Sequence, residues 1–374
     1  MRLLFCNFHE ANGGGQDSYL LSLIKTLQAH HSVALACPPS SRLYLTLQQK
    51  VPCFAINYKA LFRQGRSLFK QLYAFKQWVE KQAIDIIHVN GSADHRAVLL
   101  IYPFLKHRPK LVLTKHNALR IKWGAWLRMR YFTDAIIAVS QSTEQHLLQA
   151  GIPLALIQTI PNGIDTHFYQ PISTEQKKQL RQQHGLSMDD FILVSSAGTA
   201  DCKNWPSLIA AIAALPAKLK NKINVIIAGK TPLPQQMQAI HPFNLNAQII
   251  FTGLLADTRQ WMRLGDVGFV LSNAEETISF ACREMMAMGL PVIVSNYGGL
   301  PENVTDEVDG WIVPVNDIPA LTQCLVRLLK QTDLTPIAQH ARERAVKHFD
   351  KAVFIQSTLK LYQRLINLPL LPRQ

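Results

Sequence analysis

The sequence lacks long apolar runs: in 374 residues, none approaches the ~20 needed to span a bilayer. Its N-terminus also lacks the apolar core and cleavage site of a secretion signal, so we expect a cytoplasmic protein. Cysteine is sparse, and the six residues show no Cys-x-x-Cys spacing; nor does any His-x-x-x-His occur. This pattern predicts reduced, mostly buried thiols and no structural zinc.

Acidic residues are scarce in the first half of the chain. Residues 1–170 carry 19 Lys and Arg against 8 Asp and Glu, whereas the rest carries 20 against 17, within a net charge of +14. A basic half indicates a polyanionic partner: anionic lipid, a phosphorylated glycan or nucleic acid. The sequence contains no recognisable nucleic-acid-binding module. We therefore expect no nucleic acid as a partner. A basic nucleic-acid-binding protein is kept only as an alternative function.

The most informative stretch lies between Asn273 and Glu302. The apolar run 267–271 before it predicts a buried strand, and 291–294 predicts a second. Between them, good helix formers extend to Gly289, a typical helix C-cap. The order strand, helix, strand indicates a βαβ unit, and open α/β sheets bind ligands at the carboxyl ends of their strands.

Two carboxylates flank the start of this helix, Glu276 before it and Glu284 within it, eight positions apart. This spacing would let both carboxylate side chains border the same crevice. The backbone N–H groups of Ser279 to Ala281 would lie unpaired at the helix N-terminus, where the helix dipole favours an anion such as phosphate. The alternative is a plain surface helix whose glutamates offset that dipole.

The first half alternates short apolar strands with helical stretches. A glycine loop at 13–15 follows the first strand, and His116 follows a later one. A lone histidine at a strand end is more often structural than catalytic, so the pattern alone leaves its role open. Strands that alternate with helices predict a parallel, doubly wound sheet. The strands predicted here are 3–6, 33–37, 53–56, 84–89, 111–114 and 135–140.

The second half repeats this pattern, as expected for a chain long enough for two domains. A strand at 191–198 is followed by Lys203 and by an apolar helix, 208–215, and strands at 225–229 and 249–253 end in glycine. Pro161-Asn162-Gly163 marks a break in regular structure. We therefore place the domain boundary near residue 168.

The signature after residue 270 resembles that of retaining glycosyltransferases of the GT-B fold, particularly family 4 (glycosyl transferases group 1). It reads Glu276 to Glu284, then Ala-Met-Gly-Leu-Pro-Val at 287–292, then Gly-Gly-Leu-Pro-Glu at 298–302. The family usually has Gly-Phe or Gly-Leu after the first Glu, whereas this chain has Thr277-Ile278.

Earlier motifs resemble the same family. They are the glycine loop at 13–15, Thr-Lys-His-Asn at 114–117, Pro-Asn-Gly-Ile-Asp at 161–165 and Lys203. Thr199 stands where the family usually has an arginine for the donor diphosphate. The diphosphate would then depend on Lys203 and helix N-termini, or on Arg259 or Arg283 as substitutes.

The resemblance implies a GT-B fold: two Rossmann-like doubly wound domains that face a cleft, with a C-terminal helix crossing back to the N-terminal domain. The corresponding domains are 1–168 for the acceptor, 169–348 for the nucleotide sugar, and 349–374 for the crossover helix and tail.

The resemblance also implies residue roles. Lys203 would bind the donor diphosphate, His116 and Glu276 would contact the sugar, and Glu284 would hold the ribose hydroxyls. The expected catalytic residues are His116, Lys203 and Glu276. The expected donor-binding residues are Gly14, Gly15, Thr199, Lys203, Thr277, Ile278, Ser279, Phe280 and Glu284.

The implied activity is that of a retaining glycosyltransferase in lipopolysaccharide core or surface polysaccharide biosynthesis. It would move a hexose or heptose from a UDP-sugar, or from a GDP- or ADP-sugar, to a glycan or glycolipid acceptor. No Asp-x-Asp pair flanks an apolar strand in a chelating arrangement, so we expect no metal and no cofactor beyond the co-substrate. A catalytically silent GT-B scaffold, which the departures at Thr199 and Thr277 support, is the alternative.

Two basic segments combine cations with large apolar residues, from Phe62 to Lys81 and from Arg120 to Phe132. One reading is an amphipathic helix packed on the sheet; the other is a surface that docks on anionic lipid or a phosphorylated glycolipid. Lys and Arg near an anionic membrane contribute about 1 kcal/mol each. We therefore expect a peripheral protein on the inner face of the cytoplasmic membrane, with the anionic inner leaflet as a partner.

Overall fold

The computed structural model describes residues 1–11, 14–61, 67–245 and 248–367. Gly13 of the glycine loop, residues 62–66 of the first basic segment and residues 368–374 of the predicted tail lie outside the described residues. The chain forms two compact units: Met1–Gly163 with the chain from Phe354 onward, and Ile164–Val353. Each unit is built on one parallel sheet.

The first unit contains a seven-stranded sheet in the order β3-β2-β1-β4-β5-β6-β7. Its strands are β1 Arg2–Cys6, β2 Ser32–Cys37, β3 Cys53–Ala55, β4 Ile86–Val89, β5 Lys110–Lys115, β6 Ala135–Ala138 and β7 Ile157–Thr159. Its helices are α1 Gly15–Leu27, α2 Arg42–Leu47, α3 Tyr58–Leu61, α4 Ser67–Gln82, α5 Ser92–Ile101, α6 Trp123–Phe132 and α7 Gln141–Gln149. The short strand β7 is the one that the apolar pattern did not predict.

Helices cover both faces of this sheet, so its strands are apolar throughout rather than alternating. In β1, Leu3 and Phe5 enter one core cluster while Leu4 and Cys6 enter the other, as the two-residue repeat of a strand requires. The C-terminal helix contributes Phe354 and several later residues to the first of these clusters.

The second unit contains a six-stranded sheet in the order β10-β9-β8-β11-β12-β13. Its strands are β8 Phe191–Ser195, β9 Ile223–Ile227, β10 Ile249–Phe251, β11 Val267–Val270, β12 Val292–Ser295 and β13 Gly310–Val313. The helices are α8 Thr174–Gln183, α9 Trp205–Ala213, α10 Ala217–Lys220, α11 Pro234–Ile240, α12 Arg259–Met262, α13 Phe280–Ala287, α14 Ile318–Lys330, α15 Thr335–Phe349 and α16 Lys351–Asn367, which continues into the first unit.

These two parallel sheets confirm the predicted doubly wound architecture. Four of the six cysteines are buried, which agrees with the prediction of mostly buried thiols. In each sheet the strand order reverses beside the first strand of the unit, between β1 and β4 and between β8 and β11. Crevices at such reversals are where open α/β sheets bind ligands, so the loops after these strands are the places to look for a site.

Candidate functional site

The second unit brings Lys203 and Glu276 together at its strand reversal. Lys203 ends a short turn after β8, and Glu276 lies in the loop after the neighbouring strand β11. A backbone hydrogen bond of 3.0 Å from Asn273 N to Cys202 O joins the two loops. Lys203 Nζ then donates to Glu276 Oε2 at 2.7 Å, and Ser272 Oγ donates to the same oxygen at 2.9 Å. The result is a largely buried ion pair at the edge where a ligand would enter.

The glycine pair of the signature holds the Glu276 loop. Gly298 adopts a positive φ of 55°, and a Cβ built on it would lie 1.9 Å from the carbonyl oxygen of Glu276. Only glycine permits this approach. The neighbouring Gly299 N donates to the same carbonyl at 3.4 Å. The conformation of Glu276 therefore depends on residues that follow β12.

Helix α13 begins just after Glu276, as predicted. Ser279 is its N-cap and its side chain accepts a hydrogen bond from Cys282 N, so the serine itself satisfies one helix-terminal N–H. Thr277, Ile278 and Phe280 are partly buried around this N-terminus. The bulky pair after Glu276 thus fits the loop without displacing the carboxylate from Lys203.

Glu284 contacts a residue that sequence reasoning did not single out. Its carboxyl interacts with the hydroxyl of Tyr169, and burial raises the pKa of Glu284 from 4.5 to about 7. The structure describes no contact between Glu276 and Glu284: the first meets Lys203 and Ser272, the second Tyr169. The two carboxyls consequently have different chemistry, since the first is ion-paired and the second is close to half-protonated at neutral pH.

A cavity of about 640 Å³ opens at the carboxyl ends of β8, β9 and β10; residues 196–201 of the loop that leads to Lys203 line it, whereas Lys203 and Glu276 do not. Thr199 lines it, but its Oγ1 donates to the carbonyl of Lys230 at 2.6 Å, so its hydroxyl is used within the protein. Two residues on the wall were missed: Lys230, and Ser196, whose buried hydroxyl has no hydrogen-bond partner among the described residues. The sequence does contain a signal for the loop that carries Lys230, because the predicted strand 225–229 ends in glycine directly before it.

Neither arginine proposed as a substitute for the one missing at Thr199 is free for a diphosphate. Arg283 is buried, donates to Asn303 Oδ1 at 2.7 Å and lies 4.2 Å from the ring centroid of Phe349. Burial lowers its pKa to about 9. Arg259 forms a bidentate pair with Asp257, which holds it at the surface. Among the described residues that line the cavity, Lys230 is the cation, while Lys203 is paired with Glu276 at the same end of the sheet.

In the first unit, the glycine loop follows β1 and His116 follows β5, two strands that are separated in the sheet by β4. Gly14 has a positive φ of 58° and is the N-cap of α1, which begins at Gly15. His116 follows β5, and its Nε2 donates to Asn90 Oδ1, after β4, at 3.0 Å. The ring of Tyr19 packs edge-on against the imidazole at 4.9 Å between centroids.

Burial lowers the pKa of His116 to about 3, with smaller contributions from the nearby His88, His9 and Lys115. The imidazole is therefore neutral at physiological pH. Because Nε2 carries the proton that Asn90 accepts, Nδ1 is the acceptor nitrogen. His116 can donate or accept a hydrogen bond, but it does not act as a cation here.

Family models match both halves of the chain. The model for Glycosyltransferase Family 4 matches residues 13–168, and that for Glycosyl transferases group 1 matches residues 189–331. The chain belongs to the group 1 glycosyltransferases. This confirms the family that the motifs resemble.

Relatives of this glycosyltransferase cover most of its length. EpsD of Bacillus subtilis (strain 168), named as a glycosyltransferase, is 25% identical over 315 residues, 80% of this chain and 81% of EpsD. The UDP-Gal:alpha-D-GlcNAc-diphosphoundecaprenol alpha-1,3-galactosyltransferase of Escherichia coli is 24% identical over 312 residues, 78% of this chain and 79% of that protein. The structure of Anabaena Alr3699/HepE in complex with UDP superposes with a TM-score of 0.82 at 22% identity, covering 97% of this chain and 100% of HepE. The last comparison confirms the GT-B fold.

No helix within the described residues has the length and apolar character needed to cross a bilayer. The same residues contain no group of three His, Cys, Asp or Glu side chains placed to hold a metal ion. Metal independence stays a prediction.

Proposed function

We propose that this chain is a retaining glycosyltransferase that transfers a hexose or heptose from a nucleotide sugar to a glycan or glycolipid acceptor. A UDP-sugar is the preferred donor in this proposal, because the HepE structure that shares the fold contains UDP. The observation that carries the proposal is the Lys203–Glu276 pair at the strand reversal of the second unit, at the same end of the sheet as a cavity of about 640 Å³.

The cavity offers suitable chemistry for a nucleoside diphosphate. Ser196 presents an unsatisfied buried hydroxyl, and the loop of Lys230 adds a cation to its wall. Gly198 and Gly229 pack so closely that a Cβ on Gly229 would lie 2.6 Å from the Cα of Gly198. A side chain is therefore excluded at Gly229, whereas the space where a Cβ of Gly198 would lie is open, so a ligand can approach the backbone there.

Lys203 has the charge that this reaction requires. As the bond between sugar and phosphate breaks, negative charge accumulates on the diphosphate, and a positioned cation stabilises that charge in the transition state. The carboxylate of Glu276 holds the ammonium group in place before a donor binds. By resemblance to the family, we assign Glu276 a contact with the sugar and Glu284 a contact with the ribose hydroxyls.

In the first unit, we assign His116 a hydrogen bond to the donor sugar, again by resemblance. A neutral imidazole fixed by Asn90 suits this role, since it adds no charge to a sugar ring that becomes positive in the transition state. Gly14 and Gly15, at the start of α1, give the loop that lies near the donor phosphates in this proposal.

The proposed pathway is lipopolysaccharide core or surface polysaccharide assembly. Support comes from the Escherichia coli relative, whose name specifies a sugar acceptor linked to diphosphoundecaprenol. Such an acceptor resides at a membrane, which leads to the next part of the proposal.

We also propose that the protein binds the inner face of the cytoplasmic membrane. Helix α4 buries Phe75 in the core, whereas Phe69 and Tyr73 on its other side are 76% and 64% exposed. Phe104 beside them is 71% exposed and shares a cavity of about 590 Å³ with both. In the second basic segment, Trp123 is 74% exposed. Amphipathic packing and exposed aromatic side chains thus occur in the same helices, as interfacial helices require.

A donor screen tests the central proposal. Thermal unfolding is measured with UDP-, GDP- and ADP-sugars, because a ligand that binds only the folded state stabilises it by about 2.7 kcal/mol at a hundredfold excess over Kd. Transfer of a radiolabelled sugar to membrane extract then separates an enzyme from a silent scaffold. Stabilisation by no nucleotide sugar would refute the proposed activity; binding without transfer would favour the scaffold.

A further inference from the structure

A second cavity of about 640 Å³ lies in the first unit, at the carboxyl ends of β4 and β5 and along the start of α6. No aspartate or glutamate is among the described residues that line it. The cations on its wall come from α5, the end of β5, the loop after it and α6, and they are Arg96, Lys115, Arg120, Lys122 and Arg128. Like charges from separate elements facing one cavity repel each other, so their arrangement is unfavourable without an anion.

Arg128 is the most informative of these cations. One end of its guanidinium, Nη2, donates to Ser92 Oγ at 2.8 Å. Its Nε is buried and has no hydrogen-bond partner among the described residues. A buried donor on a charged group is costly to leave unsatisfied, and most such groups in proteins have a partner.

No described residue on the cavity wall supplies a counter-charge to Arg128. Burial and the positive charge of Arg96 both lower the pKa of Arg128. The nearest carboxyl on α5, that of Asp94, accepts hydrogen bonds from the backbone N–H groups of Asn90 at 2.7 Å and His95 at 3.1 Å and does not line the cavity. His95 is buried, and its pKa is lowered to about 3, so it is neutral.

We infer that this cavity binds a phosphate group carried by the acceptor, held by Arg128 and Arg96. The guanidinium fork matches the oxygens of a phosphate and binds it through paired, charge-assisted hydrogen bonds. His116 lines this cavity too, which places the phosphate near the proposed sugar contact.

This inference rests on the proposed function, because a phosphate bound in the cavity belongs to an acceptor only if the protein transfers sugar. Two sources share the chemistry: a soluble sugar phosphate, and a lipid-linked phosphate whose chain would extend toward the exposed Leu119 and Trp123. Both present a phosphate to the same arginines, so one experiment with two probes separates them.

The test is isothermal calorimetry on the full-length protein, with and without saturating UDP to occupy a nucleotide site. The probes are α-D-glucose 1-phosphate, its neutral counterpart methyl α-D-glucopyranoside, and the short-chain lipid dihexanoyl phosphatidic acid. We expect at least one phosphate probe to bind in the presence of UDP and the neutral glycoside not to bind. Arg128→Gln should weaken phosphate binding about ten- to hundredfold, the range for losing charge-assisted hydrogen bonds.

Two further variants separate a loss of phosphate binding from a loss of folding. Arg96→Gln changes an exposed residue and should weaken binding without affecting folding. The matched control is Arg130→Gln on the same helix, because Arg130 donates to Gly151 O and packs on Trp126 and Tyr131 instead of lining the cavity. Its phosphate affinity should equal that of the wild type.

Each result decides one point. Binding of glucose 1-phosphate that depends on Arg128 indicates a soluble acceptor, and binding of phosphatidic acid alone indicates a lipid-linked one. Binding of neither probe, or binding that Arg128→Gln and Arg96→Gln leave unchanged, overturns the inference. If the phosphate site behaves as expected but no nucleotide sugar binds, the anion site stands and the proposed function fails.

Discussion

Removal of the Lys203 charge gives the sharpest test of the candidate site. Lys203→Met keeps most of the side-chain volume but leaves the Glu276 carboxylate, whose side chain is 7% exposed, with Ser272 as its described partner. Breaking a fully buried ion pair in this way costs about 3–5 kcal/mol. Because 21% of the Lys203 side chain remains exposed, we expect a smaller loss of unfolding free energy, about 1–3 kcal/mol.

A double-mutant cycle separates stability from catalysis. Glu276→Gln removes the carboxylate that Lys203→Met leaves unpaired, so the double variant should regain stability, with a coupling energy of about 0.5–3 kcal/mol. It should not regain turnover. Loss of one group that stabilises transition-state charge lowers kcat by about 10²–10³-fold. Urea denaturation and a radiolabelled transfer assay measure the two quantities.

Lys218→Met is the matched control, because Lys218 is exposed on α10 of the same unit. It should change neither stability nor turnover. Wild-type turnover in Lys203→Met would refute the role of Lys203 at the diphosphate. Additive stability changes in the cycle would refute the ion pair, whatever the activity.

The remaining predictions address the other site residues and the membrane. Glu284→Gln should weaken donor binding about ten- to hundredfold above pH 7. The carboxyl ionises near pH 7, and its ionised form accepts the ribose hydroxyls. In calorimetry, the donor affinity of the wild type should therefore increase as the pH rises through 7, whereas the affinity of the variant should not change with pH. A variant whose donor affinity depends on pH would contradict this role. His116→Ala should lower kcat by about 10²-fold. Because the imidazole is buried, the pH profile of the wild-type rate should show no inflection near pH 6.5 that arises from His116. Equal turnover of the variant and the wild type would exclude the sugar contact. Replacement of Phe69 and Tyr73 by Ser should reduce co-sedimentation with anionic vesicles at low salt, whereas Leu45→Ser, also at an exposed apolar position, should not. Equal pelleting with neutral vesicles, or none with either, would refute electrostatic docking.

Local structure and family membership could both be read from the order of the residues. The apolar runs located the strands because a buried parallel strand must be apolar on both faces. Gly289 ended α13 at a positive φ of 76°, and Gly298 permitted an approach to Glu276 that a side chain would block. These are constraints within a few residues or between neighbouring loops, and they appear directly in the order and spacing of a signature.

Which side chains meet, and in which protonation state, depends on how the whole chain folds. Lys203 and Glu276 are 73 positions apart, and their contact follows from β8 and β11 being neighbours in the sheet. The same holds for Tyr169 against Glu284 and for the cations that surround Arg128. Strand order and burial are properties of the whole sheet, and no local pattern encodes them. For the same reason the sequence left Arg283 open as a phosphate ligand, whereas folding buries its guanidinium against Asn303.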